Sequence, residues 1–201
     1  MRTLIVYESV YGNTHATAER IADGLRRTGE VVVVSVAAVT AEQIAAADLL
    51  VVGGPTHMHG MSSSRTRQMA VKAAADADSD VVVDPDAEGP GIRSWLDELG
   101  DADGRRAVAF DTRLEGPPLL TGRASRGIAR RLHHHGFDVV ADPESFLVDK
   151  KNHLVPGEAD RASRWGASLA SSVNEWDDYL RRPVTEDEIR REIDRGRRHH
   201  A

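Results

Sequence analysis

Four short runs limit what this chain can fold into: residues 3–7, 31–36, 49–52 and 107–110 are almost continuously apolar and rich in β-branched side chains. A strand with one wet face alternates apolar and polar residues, whereas a strand covered on both faces reads as an unbroken apolar run. Between the runs lie stretches with helical spacing. Residues 14–25 put Ala18, Ile21, Ala22 and Leu25 on one face, and residues 122–134 do the same with Ile128 and Leu132. Residues 41–46 predict a short helix and residues 61–75 contain another, starting within Ser62, Ser63 and Ser64. A further short helix surrounds Ile92 to Leu96, and a long one runs over residues 158–173 with Trp165, Leu169 and Val173 on one face. A fifth strand is spread over Val139-Val140 and residues 145–148, interrupted by Asp142-Pro143. Strands alternating with helices imply right-handed crossovers and a parallel sheet between two helical layers.

At 201 residues the chain suits one α/β domain, expected over residues 1–174, with a charged tail at 175–201. Within the tail, Thr185 to Glu188 have the pattern of a cap for a short helix carrying Ile189 and Ile193. The net charge of −6 argues against nucleic acid as a partner. The absence of cysteine excludes disulfides, thiol nucleophiles and Cys-ligated metal, so redox chemistry would need a bound cofactor. No leader precedes the first strand and no apolar run reaches membrane-spanning length, so the expectation is a cytoplasmic protein with no membrane partner.

The segment Ser9-Val10-Tyr11-Gly12-Asn13-Thr14 joins the first strand to the first helix. Amides at a helix start have no intrahelical partner and sit at the positive end of the dipole, which suits a phosphate. Gly12 permits a sharp turn, Ser9, Asn13 and Thr14 add short polar donors, and no Lys or Arg lies in the segment. As an ordinary turn, the same residues would be unremarkable N-cap and loop formers.

The pattern hydroxyl-x-aromatic-Gly-Asn-Thr after a first strand resembles the phosphate loop of the flavodoxin family. The resemblance implies a three-layer, flavodoxin-like doubly wound fold with a five-stranded parallel sheet in the order 2-1-3-4-5, and flavin mononucleotide (FMN) as cofactor. It places the flavin ring between two further loops. One, after the third strand, contains Pro55, Thr56, His57, Met58, His59 and Gly60. On that resemblance Pro55 would fix the turn, Gly60 would permit the peptide flip that in the family tracks the redox state of flavin N5, and near a flavin His57 or His59 would be placed to donate a proton toward it. The other, after the fourth strand, contains Asp111, Thr112 and Arg113, with Arg123 further on. Arg113 or Arg123 aimed at the pyrimidine edge would stabilise the anionic, fully reduced flavin and favour two-electron chemistry. Neither loop has Trp, Tyr or Phe, a departure from electron-carrier flavodoxins, and the nearest substitutes are His57, Met58, His59 and Met61.

Other clusters carry less. Asp76-x-Asp78-x-Asp80 opens like a calcium loop, but Val81 and Ala87 stand where Gly and a bidentate Glu are required. His57 and His59 lack a third ligand, and His133, His134 and His135 point in different directions from a helix end, so no metal site is expected. A phosphoacceptor domain needs an acidic pair after the first strand and an Asp ending the third. Here Glu8 stands alone and the third strand ends in Gly53-Gly54. The expected function is FMN-dependent electron transfer to a redox partner protein or small-molecule acceptor. The alternative is an FMN-dependent oxidoreductase acting on a quinone or porphyrin-like substrate.

Overall fold

The computed structural model describes residues 1–57, 60–74 and 83–181. Five strands form the body of the sheet: β1 (Arg2–Tyr7), β2 (Glu30–Ser35), β3 (Leu49–His57), β5 (Arg106–Leu114) and β7 (Glu144–Val148). Two-residue strands β4 (Gly60–Met61) and β6 (Asp138–Val139) complete it. The order is β2-β1-β3-β5, with β6 and β7 both pairing with β5, and every pairing is parallel except the short β3–β4 hairpin. The expected doubly wound order is therefore present, with seven strands in place of five. The fifth position is shared: β6 pairs with Arg106 and Ala107, β7 pairs with Phe110 to Leu114, and the Asp142-Pro143 break separates them. Proline lacks the N–H that would continue the ladder.

Alternate strand residues feed two cores. Ile5, Val51, Val108 and Phe110 pack with Ile21 and Leu25 of α1 (Asn13–Leu25) and with Leu169 of α7 (Glu158–Arg181). Leu4, Val6, Leu50, Val52 and Ala109 pack the other way. Their partners are Ile92 and Leu96 of α4 (Ile92–Asp97) and Ile128 and Leu132 of α6 (Ala124–His134). Helices α1 and α7 approach closely because both present glycine: a Cβ on Gly166 would lie 2.2 Å from the Ile21 carbonyl oxygen, and one on Gly24 2.1 Å from that of Ser163. Gly53 makes room for the Phe110 ring, which a Cβ there would meet at 2.1 Å.

Three features differ from the sequence reading. β2 is an edge strand covered partly by the short α2 (Ala41–Ala46), so Val32 is exposed although its run looks fully buried. The loop after β5 contains a one-turn helix, α5 (Pro118–Thr121), ahead of α6. α7 continues past Val173 to Arg181, and Trp176 packs against the core and donates from Nε1 to Asp138 Oδ2 at 3.4 Å. Met58, His59, the aspartates at 76, 78 and 80, and the segment bearing Ile189 and Ile193 lie outside the described residues. Among the described residues, no helix is long and apolar enough to cross a membrane.

Candidate functional site

Three loops meet at the carboxyl edge of the sheet. The first carries the turn into α1. Gly12 is its N-cap, at φ +77°, and a Cβ there would touch nothing within 4 Å, so conformation and not space calls for glycine. The helical ladder starts with the Ala16 amide donating to the Gly12 oxygen (2.8 Å), which places the amides of Asn13, Thr14 and His15 ahead of it. No side chain caps this end and its first turn holds no acidic residue. The Ser9 hydroxyl is buried and, among the described residues, has no hydrogen-bond partner.

Other side chains of the loop are committed to holding it. Tyr11 donates its hydroxyl to the Ala70 oxygen of α3 (Ser64–Ala74) at 2.9 Å, and Asn13 Nδ2 donates to the Asn152 oxygen at 2.7 Å. The hydroxyls of Thr14 and Thr112 lie 2.7 Å apart, joining the first loop to the end of β5. Behind the loop, the Asp84 amide donates to the Val10 oxygen (2.8 Å), and His15 stacks on Tyr7 with ring centroids 4.5 Å apart. Burial, reinforced by Asp84, Asp86 and Glu19, pushes the Tyr7 hydroxyl up to about 12.

The neighbouring helix starts are closed. Glu8, buried at the end of β1, accepts from the Ile92 amide at the start of α4 (2.7 Å) and from the Ser62 hydroxyl, which in turn accepts from Arg67 at 3.4 Å. Thr56 Oγ1 accepts from the Ala124 amide (2.9 Å) and Asp111 Oδ2 from the Ser125 amide (2.7 Å), both at the start of α6. Of these three helix starts, α1 presents its start to a cavity, while α4 and α6 spend theirs on internal acceptors.

That cavity, of about 270 Å³, is lined by Val10, Tyr11, Asn13 and Thr14 from the first loop and Pro55, Thr56 and His57 from the second. Thr112 and Arg113 contribute from the third. Ten of the sequence-selected residues thus lie in or directly beneath one site: these nine, and Gly12, which shapes the turn. Ser9 is buried under the loop, Gly60 pairs with His57 across the β3–β4 hairpin, and Met58 and His59 lie outside the described residues. Asp111 goes elsewhere: it is fully buried beneath α6, where loss of solvent pushes its carboxyl up against the opposing pull of the Ser125 amide and the Arg123 charge. Arg123 is held by the Ser145 hydroxyl (3.1 Å) and the Pro143 oxygen (2.5 Å), away from the cavity lining.

Arg113 lines the cavity and grips the following loop, donating from Nη1 to the Gly116 oxygen (2.8 Å) and Thr121 Oγ1 (2.9 Å). His57 is held below its ordinary range by burial, with Arg67 adding to the effect and Glu8 opposing it. Sequence reasoning passed over Ala70, Leu114, Val148 and Asn152, which complete the lining. Only Asn152 left a signal, as an asparagine in a polar turn that adopts φ +61°.

Comparison with known proteins bears on the fold. Residues 4–72 match a family model described as a flavodoxin domain, and no curated protein matches. Among solved structures, an archaeal flavodoxin superimposes with a TM-score of 0.57 at 21% identity, covering 87% of this chain and 99% of that one. Flavodoxin 1 from Bacillus cereus gives 0.59 at 18% identity, covering 85% of this chain and 98% of that one. The fold is flavodoxin-like. A flavodoxin, WrbA-like protein from Agrobacterium tumefaciens also superimposes, with a TM-score of 0.54 at 18% identity over 87% of this chain and 98% of that one. The segment matched by the family model spans the α1 start and the Pro55–His57 wall of the cavity.

Proposed function

We propose that this protein binds FMN non-covalently at the cavity and serves in electron transfer. The observation that carries the reading is the contrast among helix starts: α4 and α6 are capped from within by Glu8, Thr56 and Asp111, whereas α1 is left open onto the cavity. An uncapped helix start with free amides and a left-handed glycine suits a phosphate monoester, neutralised by dipoles rather than by a cation. The Ser9 hydroxyl supports it, because a buried hydroxyl without a partner among the described residues has a donor to offer a ligand.

On this reading Ser9, Gly12, Asn13, Thr14 and the Val10–Tyr11 backbone hold the phosphate. Pro55, Thr56, His57, Gly60, Thr112 and Arg113 flank the ring, together with Met58 and His59. When bound, FMN would supply the capacity to accept and pass on electrons, and the chain would position it and set its surroundings. His57, kept neutral by burial, would be a hydrogen-bond partner rather than a fixed charge beside the ring. Arg113 would hold one cation near it while its fork keeps the 114–121 loop in place.

The lining also supports a second reading, an FMN-dependent oxidoreductase. Among the described residues that line the cavity, Tyr11 of the first loop is the one aromatic carbocycle, and the second and third loops bring none to cover a ring face against a small substrate such as a quinone. Fluorescence and visible-absorbance titration with FMN tests the cofactor. Quenching with shifted flavin bands is expected, and an unchanged spectrum would contradict it. Turnover of a quinone with a nicotinamide donor would favour the enzyme over the carrier.

A further inference from the structure

Residues 122–135 hold four arginines and three histidines and no carboxylate, in a chain whose net charge is −6. On α6 the spacing of Arg123, Arg126 and Arg130 sets them along one face, with Gly127 as a low point between them. They border a groove of about 640 Å³ whose far side is Arg93 of α4 and whose floor includes Gly60 and Met61. Arg131, at its end, is paired with Asp97 at 3.0 Å, and Arg123 lies within reach of the Asp111 charge. Among the described residues Arg93 donates to the Met61 and Ser62 carbonyl oxygens and pairs with no carboxylate, so its charge is not cancelled there. Among the described residues Arg126 and Arg130 have no acidic partner.

Beside this basic stripe stand two apolar knobs. Leu119 is 91% exposed and Leu120 68% exposed, on the one-turn helix α5 that forms the groove's rim. A site for a small anion would enclose its ligand, but these leucines project outward. Outward apolar knobs ringed by arginine are the make-up of a protein-binding surface. The groove also adjoins the flavin site on two sides. Gly60 lines it and pairs with His57 of the cavity, and the loop bearing Leu119 is gripped by Arg113 of the cavity.

We propose that this groove is the docking face for an acidic partner protein, one whose carboxylates meet Arg93, Arg126 and Arg130 while an apolar depression receives Leu119 and Leu120. Identifying that partner as an electron carrier rests on the FMN reading, but the surface can be tested without flavin. The stripe stands out from an otherwise acidic chain, so it would steer acidic proteins to the edge next to the cavity and turn basic ones away.

The test is calorimetric titration of the unloaded protein with a plant-type [2Fe–2S] ferredoxin, a small acidic carrier, at low and at physiological salt. Saturable binding that weakens with salt is expected. R126E/R130E should weaken it by about 30-fold, and L119S/L120S by about 5-fold, with circular dichroism and melting unchanged. Absence of salt-sensitive binding, indifference to R126E/R130E, or equal affinity for basic cytochrome c would overturn the proposal. So would tight binding of inorganic pyrophosphate that R126E/R130E abolishes, which would make the groove a small-anion site. FMN titration of the same preparations reads the cofactor separately, so either assignment can fail alone.

Discussion

The starts of α1, α4 and α6 lie at the same edge of the sheet and are finished in opposite ways. α4 and α6 receive acceptors from distant parts of the chain: Glu8 reaches 84 residues forward to Ile92, Thr56 reaches 68 to Ala124, and Asp111 reaches 14 to Ser125. α1 has no side-chain cap, and its first turn faces a cavity. Positive dipole ends attract anions wherever they occur. The protein supplies a carboxyl group of its own at two of these ends, and the third opens onto the cavity proposed to hold a phosphate.

Uncapping a closed end should hurt stability most. Glu8→Ala removes the acceptor of both Ser62 and the Ile92 amide and strands the buried Arg67 network, at an expected cost of about 3 kcal/mol in urea unfolding. A loss near zero would mean that α4 does not depend on Glu8.

The two ends should also differ in their response to pH. Burial raises the Asp111 carboxyl in the folded state, so the folded protein holds this proton more tightly than the unfolded chain. Stability from this group is therefore full at acid pH and falls as pH rises through the unfolded carboxylate range toward the raised folded value. Asp111→Asn keeps an acceptor for Ser125 and should remove that fall, gaining on the native protein as pH rises. His57 runs the other way. Its lowered folded value means that stability is full above the ordinary imidazole range and falls as pH drops below it, a slope that His57→Gln should abolish. Unfolding midpoints across pH 4 to 8 (roughly the window these two groups span) would read both effects, and parallel curves for variants and native protein would refute them.

The smallest effect comes from a cap remote from the site. Thr40 and Gln43 form a reciprocal capping box at α2, and Thr40→Ala should cost about 1 kcal/mol while leaving flavin affinity unchanged. A change in FMN affinity in that variant would mean that loss of stability alone perturbs the cavity.

Much of this arrangement could be read in advance because its causes are local. The unbroken apolar runs required a sheet covered on both faces, and the turn at Gly12 is encoded within six residues. What escaped depends on tertiary partners. Val31 to Val36 look like an interior strand, yet nothing in that run says that no further strand will pair outside it. Asp111 follows the apolar run at 107–110 and reads as the start of a loop, but β5 continues through it to Leu114 and its side chain is claimed by α6. Gly24 and Gly166 have no meaning until α1 and α7 are brought together, and Leu114, Val148 and Asn152 join the cavity only because β7 pairs beyond the expected end of β5.

The central claim is that the open start of α1 holds a phosphate. The most direct measurement is the ratio of FMN to riboflavin affinity in the native protein and in Gly12→Val, which forces a β-branched side chain into left-handed backbone at a strain of about 1–2 kcal/mol or more. The native protein should prefer FMN strongly, and the variant should lose most of that preference with riboflavin binding nearly intact. Equal affinity for the two flavins in the native protein, or equal losses for both in the variant, would contradict it.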